Sequence, residues 1–314
     1  MNVIHLKYPH QLETTGGPYS LAIGFFDGVH RGHQAVIQSA IDTAKEKNLK
    51  SAVMTFDPHP SIVLGRRNEK VFYITPLQQK LDTLQKLHVD TVFVVHFTSD
   101  FAKLSPETFV QYFIRDLQVK HVTAGFDFSF GAFGKGNMTL MCELSGEDFG
   151  VTVVEKYVDG AEKISSTRIR KALQEGDMEE ARMLLGRAFE VPGIVVHGDK
   201  RGRTLGFPTA NVQHMEGCFI PATGVYAVKI LVQNEWFDGV CNVGYKPTFK
   251  DPNNKQLTIE VHIFNFDKNI YGEEVVVGWY RRIRSEQKFN GINELIAQIE
   301  QDKKEAIDYL KTRA

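Results

Sequence analysis

The hydrophobic period of this chain changes once, near residue 186, and that change limits the folds open to it. Before it, short β-branched or aromatic runs alternate with helical patterns. Beyond it, short strands follow one another until a closing helix. Strand and helix in strict turn demand a parallel sheet, because parallel neighbours need a crossover and a helix is the usual one. Short strands punctuated by turn residues close instead into an antiparallel barrel or sandwich. With 314 residues the chain also exceeds one ordinary core, at about 100–200 residues per domain. Two domains are expected, 1–186 as α/β and 187–314 as β.

In the first half the expected strands are 20–26, 51–56, 91–97 and 121–125, and two of the helices are expected over 77–87 and 106–117. The helix after the first strand carries Ala35, Val36, Ala40, Ile41 and Ala44 on one face. After Ile164 a helical run breaks at Gly176 and resumes over 178–185, and Gly186 stands where a left-handed C-terminal cap falls. The second half gives strands at 189–196, 224–232, 236–243, 257–264 and 274–280. Its last helix, with Asn290 as the expected cap, aligns Ile292, Leu295, Ile296, Ile299, Ala306, Ile307 and Leu310 in a stripe that should pack on the barrel.

A net charge of −1 provides no global positive field for a nucleic-acid backbone, so any bound anion must be held by local groups. Cys142, Cys218 and Cys241 are scattered and form no C-x-x-C pair, which argues against a disulfide framework or a zinc knuckle. The opening MNVIHLKYPHQ lacks the regions of a signal peptide, and no apolar run approaches the ~18 residues of a membrane span. A cytoplasmic protein with neither nucleic acid nor membrane as partner is expected.

The string GFFDGVHRGH at 24–33 sits where the first strand gives way to the first helix, the ligand edge of an open α/β sheet. Gly24 and Gly28 permit close backbone approach, and Asp27 adds an acceptor. His30 and His33, three apart at a helix start, share a face beside N–H groups that favour anions, as phosphate binding requires. Such a pair also serves as an ordinary cap; zinc would need a third ligand nearby, and none is present. ISSTRIR at 164–170 offers hydroxyls and guanidinium groups to a polyphosphate, or equally an N-cap. In GFDFSFG at 125–131, Phe126, Phe128 and Phe130 are expected on one strand face, with Asp127 and Ser129 on the other.

GDKRGRTLGFPTAN at 198–211 combines three glycines with Lys200, Arg201 and Arg203, a local anion site that lacks the Walker A pattern. In an extended segment Thr209 and Asn211 point the same way, and two neutral oxygens suit a Mg²⁺ that also takes phosphate oxygens. On the strand at 257–264, Thr258, Glu260 and His262 share the face opposite Leu257, Ile259, Val261 and Ile263. Taken alone, Glu260 is a solvated glutamate on an amphipathic strand.

FDGVHRGH and ISSTRIR together resemble the nucleotidylyltransferase half of the bacterial bifunctional riboflavin kinase/FAD synthetases. The resemblance extends through TFDPHP at 55–60, GFDFSFG, GDKRGRTLGFPTAN, GVY at 224–226, CNVGYKPT at 241–248, IEVHIFNFD at 259–267 and RIRSEQKFNG at 282–291. It implies an N-terminal Rossmann-like nucleotidylyltransferase domain with a parallel sheet and a C-terminal antiparallel β-barrel riboflavin kinase domain with a terminal helix. Riboflavin would be phosphorylated to FMN with release of ADP; FMN would then take an adenylyl group from a second ATP, giving FAD and pyrophosphate.

On this resemblance Gly24, Phe25, Asp27, His30, His33, Ser165, Ser166, Thr167 and Arg170 hold ATP for adenylyl transfer, with the two histidines on its phosphates. Asp57, His59, Asp127 and Phe128 lie at the flavin end. Gly198, Lys200, Arg203, Thr209 and Asn211 hold ATP in the kinase, Thr209 and Asn211 share its Mg²⁺, Glu260 is the general base, and 282–291 closes over the flavin. One departure is that Gly134 and Lys135 stand where the family often has arginine. Two rival readings remain: a nucleotidylyltransferase for another acceptor, in which Glu260 and Thr209 are silent, and a nucleic-acid-binding barrel, for which the basic stripe and stacking aromatics are missing.

Overall fold

Strand and helix alternate through the first unit, Met1–Ser165, as β1 (Asn2–Leu6), β2 (Tyr19–Ile23), α1 (Arg31–Glu46), β3 (Lys50–Asp57), α2 (Pro60–Val63), α3 (Leu77–Lys86), β4 (Thr91–His96), α4 (Pro106–Val110), β5 (Val119–Gly125), α5 (Met138–Ser145) and β6 (Gly150–Val154). A small hairpin, β7 (Val158–Asp159) and β8 (Glu162–Lys163), follows. The computed structural model describes residues 1–10, 16–65, 71–160, 162–198, 202, 205–247 and 255–312.

Among these, six parallel strands lie in the order β1-β4-β3-β2-β5-β6. Alternation along each strand feeds two cores. Leu21, Ile23, Met54, Phe56, Phe93 and Val95 face the side of α4 and α5, while Ala22, Val53, Val92 and Val94 face α1 and α3. The edge strands β1 and β6 were not legible in the sequence, because neither is covered enough to need a continuous apolar run.

The chain runs from β2 to β3 on one side and reaches β5 on the other, so the strand order reverses between β2 and β5. In an open α/β sheet, ligands bind in the crevice outside the carboxyl ends of the strands at such a reversal. GFFDGVHRGH leaves β2 and GFDFSFG leaves β5 at that place.

The second unit, Ser166–Ala314, opens with α6 (Ser166–Glu175) and α7 (Met178–Leu185). Gly186 caps α7 in the left-handed region, φ 75°, its N–H donating to the Arg182 carbonyl. Strands β9 (Phe189–Val196), β10 (Ala210–His214), β11 (Gly224–Val232), β12 (Glu235–Pro247), β13 (Lys255–Ile263) and β14 (Glu274–Arg284) close an antiparallel barrel, and α8 (Ile292–Lys311) follows. The compact units meet between Ser165 and Ser166, so α6 and α7 count with the barrel. Arg282 Nη1 donates to the Glu175 carbonyl, and the Arg182 guanidinium lies over the Tyr280 ring.

Three expectations need correction. Gly291, not Asn290, is the N-cap of α8; the Asn290 N–H donates to Glu294 Oε2 at 2.9 Å. The stripe of α8 is fully buried only toward its C-terminal end, where Ala306 and Leu310 pack with Val225, Ala227, Val240 and Phe264, while Leu295, Ile296 and Ile299 are half-buried and Ile292 is 60% exposed. Finally, the phenylalanines of GFDFSFG do not share a strand face. β5 ends at Gly125 and a turn closes from Phe128 N to the Gly125 carbonyl, leaving Phe126 exposed, Phe128 half-buried and Phe130 in the core.

What seats α8 is polar. Asp302, buried, accepts from Arg284 Nε at 2.9 Å and Nη2 at 2.7 Å, and from Gln298 Nε2 at 2.8 Å. Replacing Asp302 with alanine leaves a half-buried guanidinium without its carboxylate and is expected to destabilise the barrel by about 1–3 kcal/mol. Urea unfolding followed by tryptophan fluorescence checks this, since both tryptophans, Trp236 and Trp279, lie in the second unit.

Candidate active sites

The turn from β2 into α1 is wound tightly. Gly28 has φ 88°, and Phe26 and Val29 also have positive φ, 54° and 40°. Both side chains are buried in the core against α1, and that packing holds backbone conformations that non-glycine residues disfavour. Gly24 is required by space: a Cβ there would meet the Phe26 ring at 2.8 Å. Asp27 is buried and accepts from the N–H groups of Thr75 at 3.1 Å and Ile74 at 3.3 Å, which ties the turn to the segment before α3.

His30 is the N-cap of α1, its Nδ1 accepting from the His33 N–H at 3.2 Å. With Nδ1 accepting, the ring proton of His30 sits on Nε2. The two rings stack with centroids 3.5 Å apart and planes 19° from parallel. Burial, then His30, Lys80 and Lys163, hold His33 well below the usual histidine range, and its Nδ1 has no hydrogen-bond partner among the described residues. His33 is thus neutral at pH 7, and the pair lies at a helix N-terminus with cations close by, where it can donate to an anion.

The residues that the resemblance assigns to the flavin end gather around the same strand ends. Phe25 packs edge-on against His59 at 4.4 Å and faces Tyr73 at 6.2 Å. His59 caps α2 through Ser61 N, and its own N–H donates to the Tyr73 hydroxyl at 2.9 Å. Asp57 ends β3. Asp127 is ion-paired with Lys163, whose ammonium lies 4.7 Å over the Phe126 ring. Ser165 closes the first unit, and Ser166, Thr167 and Arg170 stand in the first turns of α6 in the second, where Arg168 pairs with Glu180 at 2.6 Å.

On the barrel, register does what spacing alone could not. Asn211 on β10 is directly opposite Glu260 on β13, which is directly opposite Asn242 on β12, so the three side chains form one row across adjacent strands. Val212, Ile259, Val261, Cys241 and Val243 are buried on the other face. Glu260 is ion-paired with Lys246 at 2.7 Å. A side chain at Gly198 would run into the Asn211 amide, and one at Gly244 would meet Glu286 Oε1 at 2.6 Å, so both glycines make room beside the row. His262 Nδ1 donates to the Pro208 carbonyl at 2.8 Å and thereby anchors the segment that carries Thr209. Lys200 and Arg203 lie outside the described residues.

The sequence reading missed Lys80, Lys163, Asn242 and Lys246. Lys80 had a signal: Leu77, Lys80, Leu81 and Leu84 fall on one helix face, which places a charge inside an apolar stripe. Asn242 and Lys246 lie within CNVGYKPT, but their relation to Glu260 needs the register. Lys163 acts through a chain reversal that no local pattern announces. The cations facing His33 are thus Lys80 and Lys163.

Comparison with known proteins agrees with both halves. The FAD synthetase family model matches residues 13–168 and the riboflavin kinase model residues 185–310. The bifunctional riboflavin kinase/FMN adenylyltransferase of Bacillus subtilis is 51% identical over 98% of both chains, and that of Listeria monocytogenes 49% identical over 97% of both. A crystal structure from Streptococcus pneumoniae described as a macrolide-efflux protein shares the whole fold, with TM-score 0.87 and 34% identity over 95% of this chain and 97% of that one. Among the described residues, no helix of the present chain is long and apolar enough to cross a membrane. The chain belongs to the bifunctional riboflavin kinase/FMN adenylyltransferase family.

Proposed function

We propose that the chain uses ATP twice on a flavin, making FMN from riboflavin on the barrel and FAD from FMN at the parallel sheet. The observation that carries this reading is that each motif set occupies a ligand position of its own frame: the histidine pair lies at the strand-order reversal and the Asn211–Glu260–Asn242 row lies on the barrel.

In the kinase step Glu260 accepts the proton of the ribityl hydroxyl as its oxygen bonds to the γ-phosphorus and the bond to the β-phosphate oxygen breaks, releasing ADP. Thr209 and Asn211 would hold Mg²⁺, which would offset phosphate charge when bound; two neutral oxygens beside glycine-lined space fit such an ion. In the adenylyl step a phosphate oxygen of FMN bonds to the α-phosphorus and pyrophosphate leaves. No covalent enzyme intermediate is needed, and His30 and His33 position and stabilise the phosphates, completed by Ser165, Ser166, Thr167 and Arg170. Asp57, His59, Asp127 and Phe128 border the flavin. The compartment is the cytoplasm. Riboflavin with MgATP should give FMN first and FAD after it on chromatography; absence of any flavin product refutes the reading.

Gly186 is the proposed boundary between the catalytic segments. Residues 187–314 should phosphorylate riboflavin and stop at FMN, and 1–186 should adenylylate FMN more weakly than the whole chain. Because α6 and α7 pack with the barrel, a fragment beginning at Ser166 should resist unfolding better than one beginning at Arg187. A folded 166–314 fragment that makes no FMN would place part of the kinase site in the first unit.

A further inference from the structure

We propose that Lys80 is a positioning residue for adenylyl transfer: its buried ammonium locks the Phe25 carbonyl at the mouth of the turn and keeps a fixed positive charge facing His33. The inference rests on reading the first unit as the place where FAD is made.

Lys80 is 2% exposed. Its Nζ donates to the Phe25 carbonyl at 2.8 Å and to Thr55 Oγ1 at 3.0 Å, and Thr55 Oγ1 donates to that same carbonyl at 2.9 Å. The three groups close a triangle between the end of β2, the strand β3 and the helix α3. The ammonium also lies 4.5 Å from the centroid of the Phe25 ring, the ring that packs on His59. One side chain therefore sets both the main chain and the ring at the junction of the histidine turn and the proposed flavin end.

Its charge is the second half of the argument. A methionine at this stripe position would bury without the desolvation penalty of an ammonium. Lys163, the other cation facing His33, is neutralised in contact by Asp127. Among the described residues Lys80 bonds to neutral oxygens and a ring face; Asp27 and Asp57 act on it through space, and the Asp27 carboxylate is bonded to the amides of Ile74 and Thr75. A buried, incompletely compensated cation beside the neutral His33 imidazole favours an anion, which is what a triphosphate provides. Burial, opposed by Asp27 and Asp57, pulls the ammonium down to about 8, so the charge is present below that pH and lost as pH rises through it. The groups that face it are Asp27 and the Phe25 ring from the turn, Thr55 and Asp57 from β3, and His33 from α1, with His30 and Lys163 acting on His33 in turn.

The test uses the full chain with Lys80→Met and Lys80→Arg. At pH 7 Lys80→Met should lose about 100-fold in kcat/KM for FAD formation, lack the alkaline limb near pH 8, and titrate His33 at a higher pH by NMR, because a facing cation is gone. Riboflavin phosphorylation should be unchanged in both variants. Lys80→Arg, which keeps charge at high pH, should retain FAD synthesis and move the alkaline limb beyond reach. Full FAD synthesis by Lys80→Met, or an alkaline limb and a His33 titration that neither variant moves, would overturn the inference. If Lys80→Met folds poorly, the limb of Lys80→Arg decides alone. A wild-type chain that phosphorylates riboflavin yet makes no FAD overturns the underlying reading, and this inference with it.

Discussion

Glu260→Gln is expected to abolish FMN formation from riboflavin while conversion of supplied FMN to FAD continues at the wild-type rate. The substitution keeps shape and hydrogen-bonding reach and removes the one property the kinase step needs, a carboxylate that takes a proton. A positioned general base typically contributes about 10²–10⁴-fold, so the fall should be at least that large in kcat. Asn211 and Asn242 flank Glu260 across the strands, and neither amide can replace a base. The carboxylate is also the partner of Lys246, which loses its counter-charge in the variant; Lys246→Gln should therefore change the kinase far less than Glu260→Gln does. Kinase turnover of Glu260→Gln within a few-fold of wild type would remove Glu260 from the chemistry.

The second large effect belongs to the histidine pair. His33→Ala should lower FAD formation by about 10²–10³-fold, the usual loss on removing one donor to developing charge, and leave riboflavin phosphorylation intact. His30 needs a gentler replacement because it is also the N-cap of α1, and losing a cap costs about 0.5–2 kcal/mol. Asparagine caps well, so His30→Asn separates the imidazole from the cap and should still lose most FAD synthesis.

The pH dependence has a fixed sign. His33 is held neutral by burial and by His30, Lys80 and Lys163, so the acid limb of FAD synthesis should fall below the ordinary histidine range. As pH drops through that range the unfolded chain takes up a proton that the folded His33 refuses. Its contribution to stability is therefore present at neutral pH and lost toward acid. Equal loss of both activities in His33→Ala would point to a folding defect or to one shared ATP site.

How much of this was legible in the sequence depended on whether a feature is local. The strands 189–196 and 224–232, the helix after Ile164 and the cap at Gly186 followed from period and turn chemistry, which act over a few residues. The half-buried edges β1 and β6 did not, since exposure removes the apolar run that marks a strand. The alternation of Phe126, Phe128 and Phe130 misled, because a turn that leaves the sheet at Gly125 has the same letters as a strand that continues. Neither the row through Glu260 nor the triangle around Lys80 could be found by spacing. Both depend on which strands become neighbours.

The central claim is that one flavin receives two different transfers from ATP, and isotope position tests it most directly. Riboflavin is incubated with MgATP labelled on either the γ- or the α-phosphorus, and the flavins are separated over time. The account predicts γ-label in FMN as it forms and in FAD afterwards, and α-label in FAD only, appearing together with pyrophosphate. Label from the α-phosphorus that never reaches a flavin, or FAD whose flavin phosphate carries no γ-label, would contradict it.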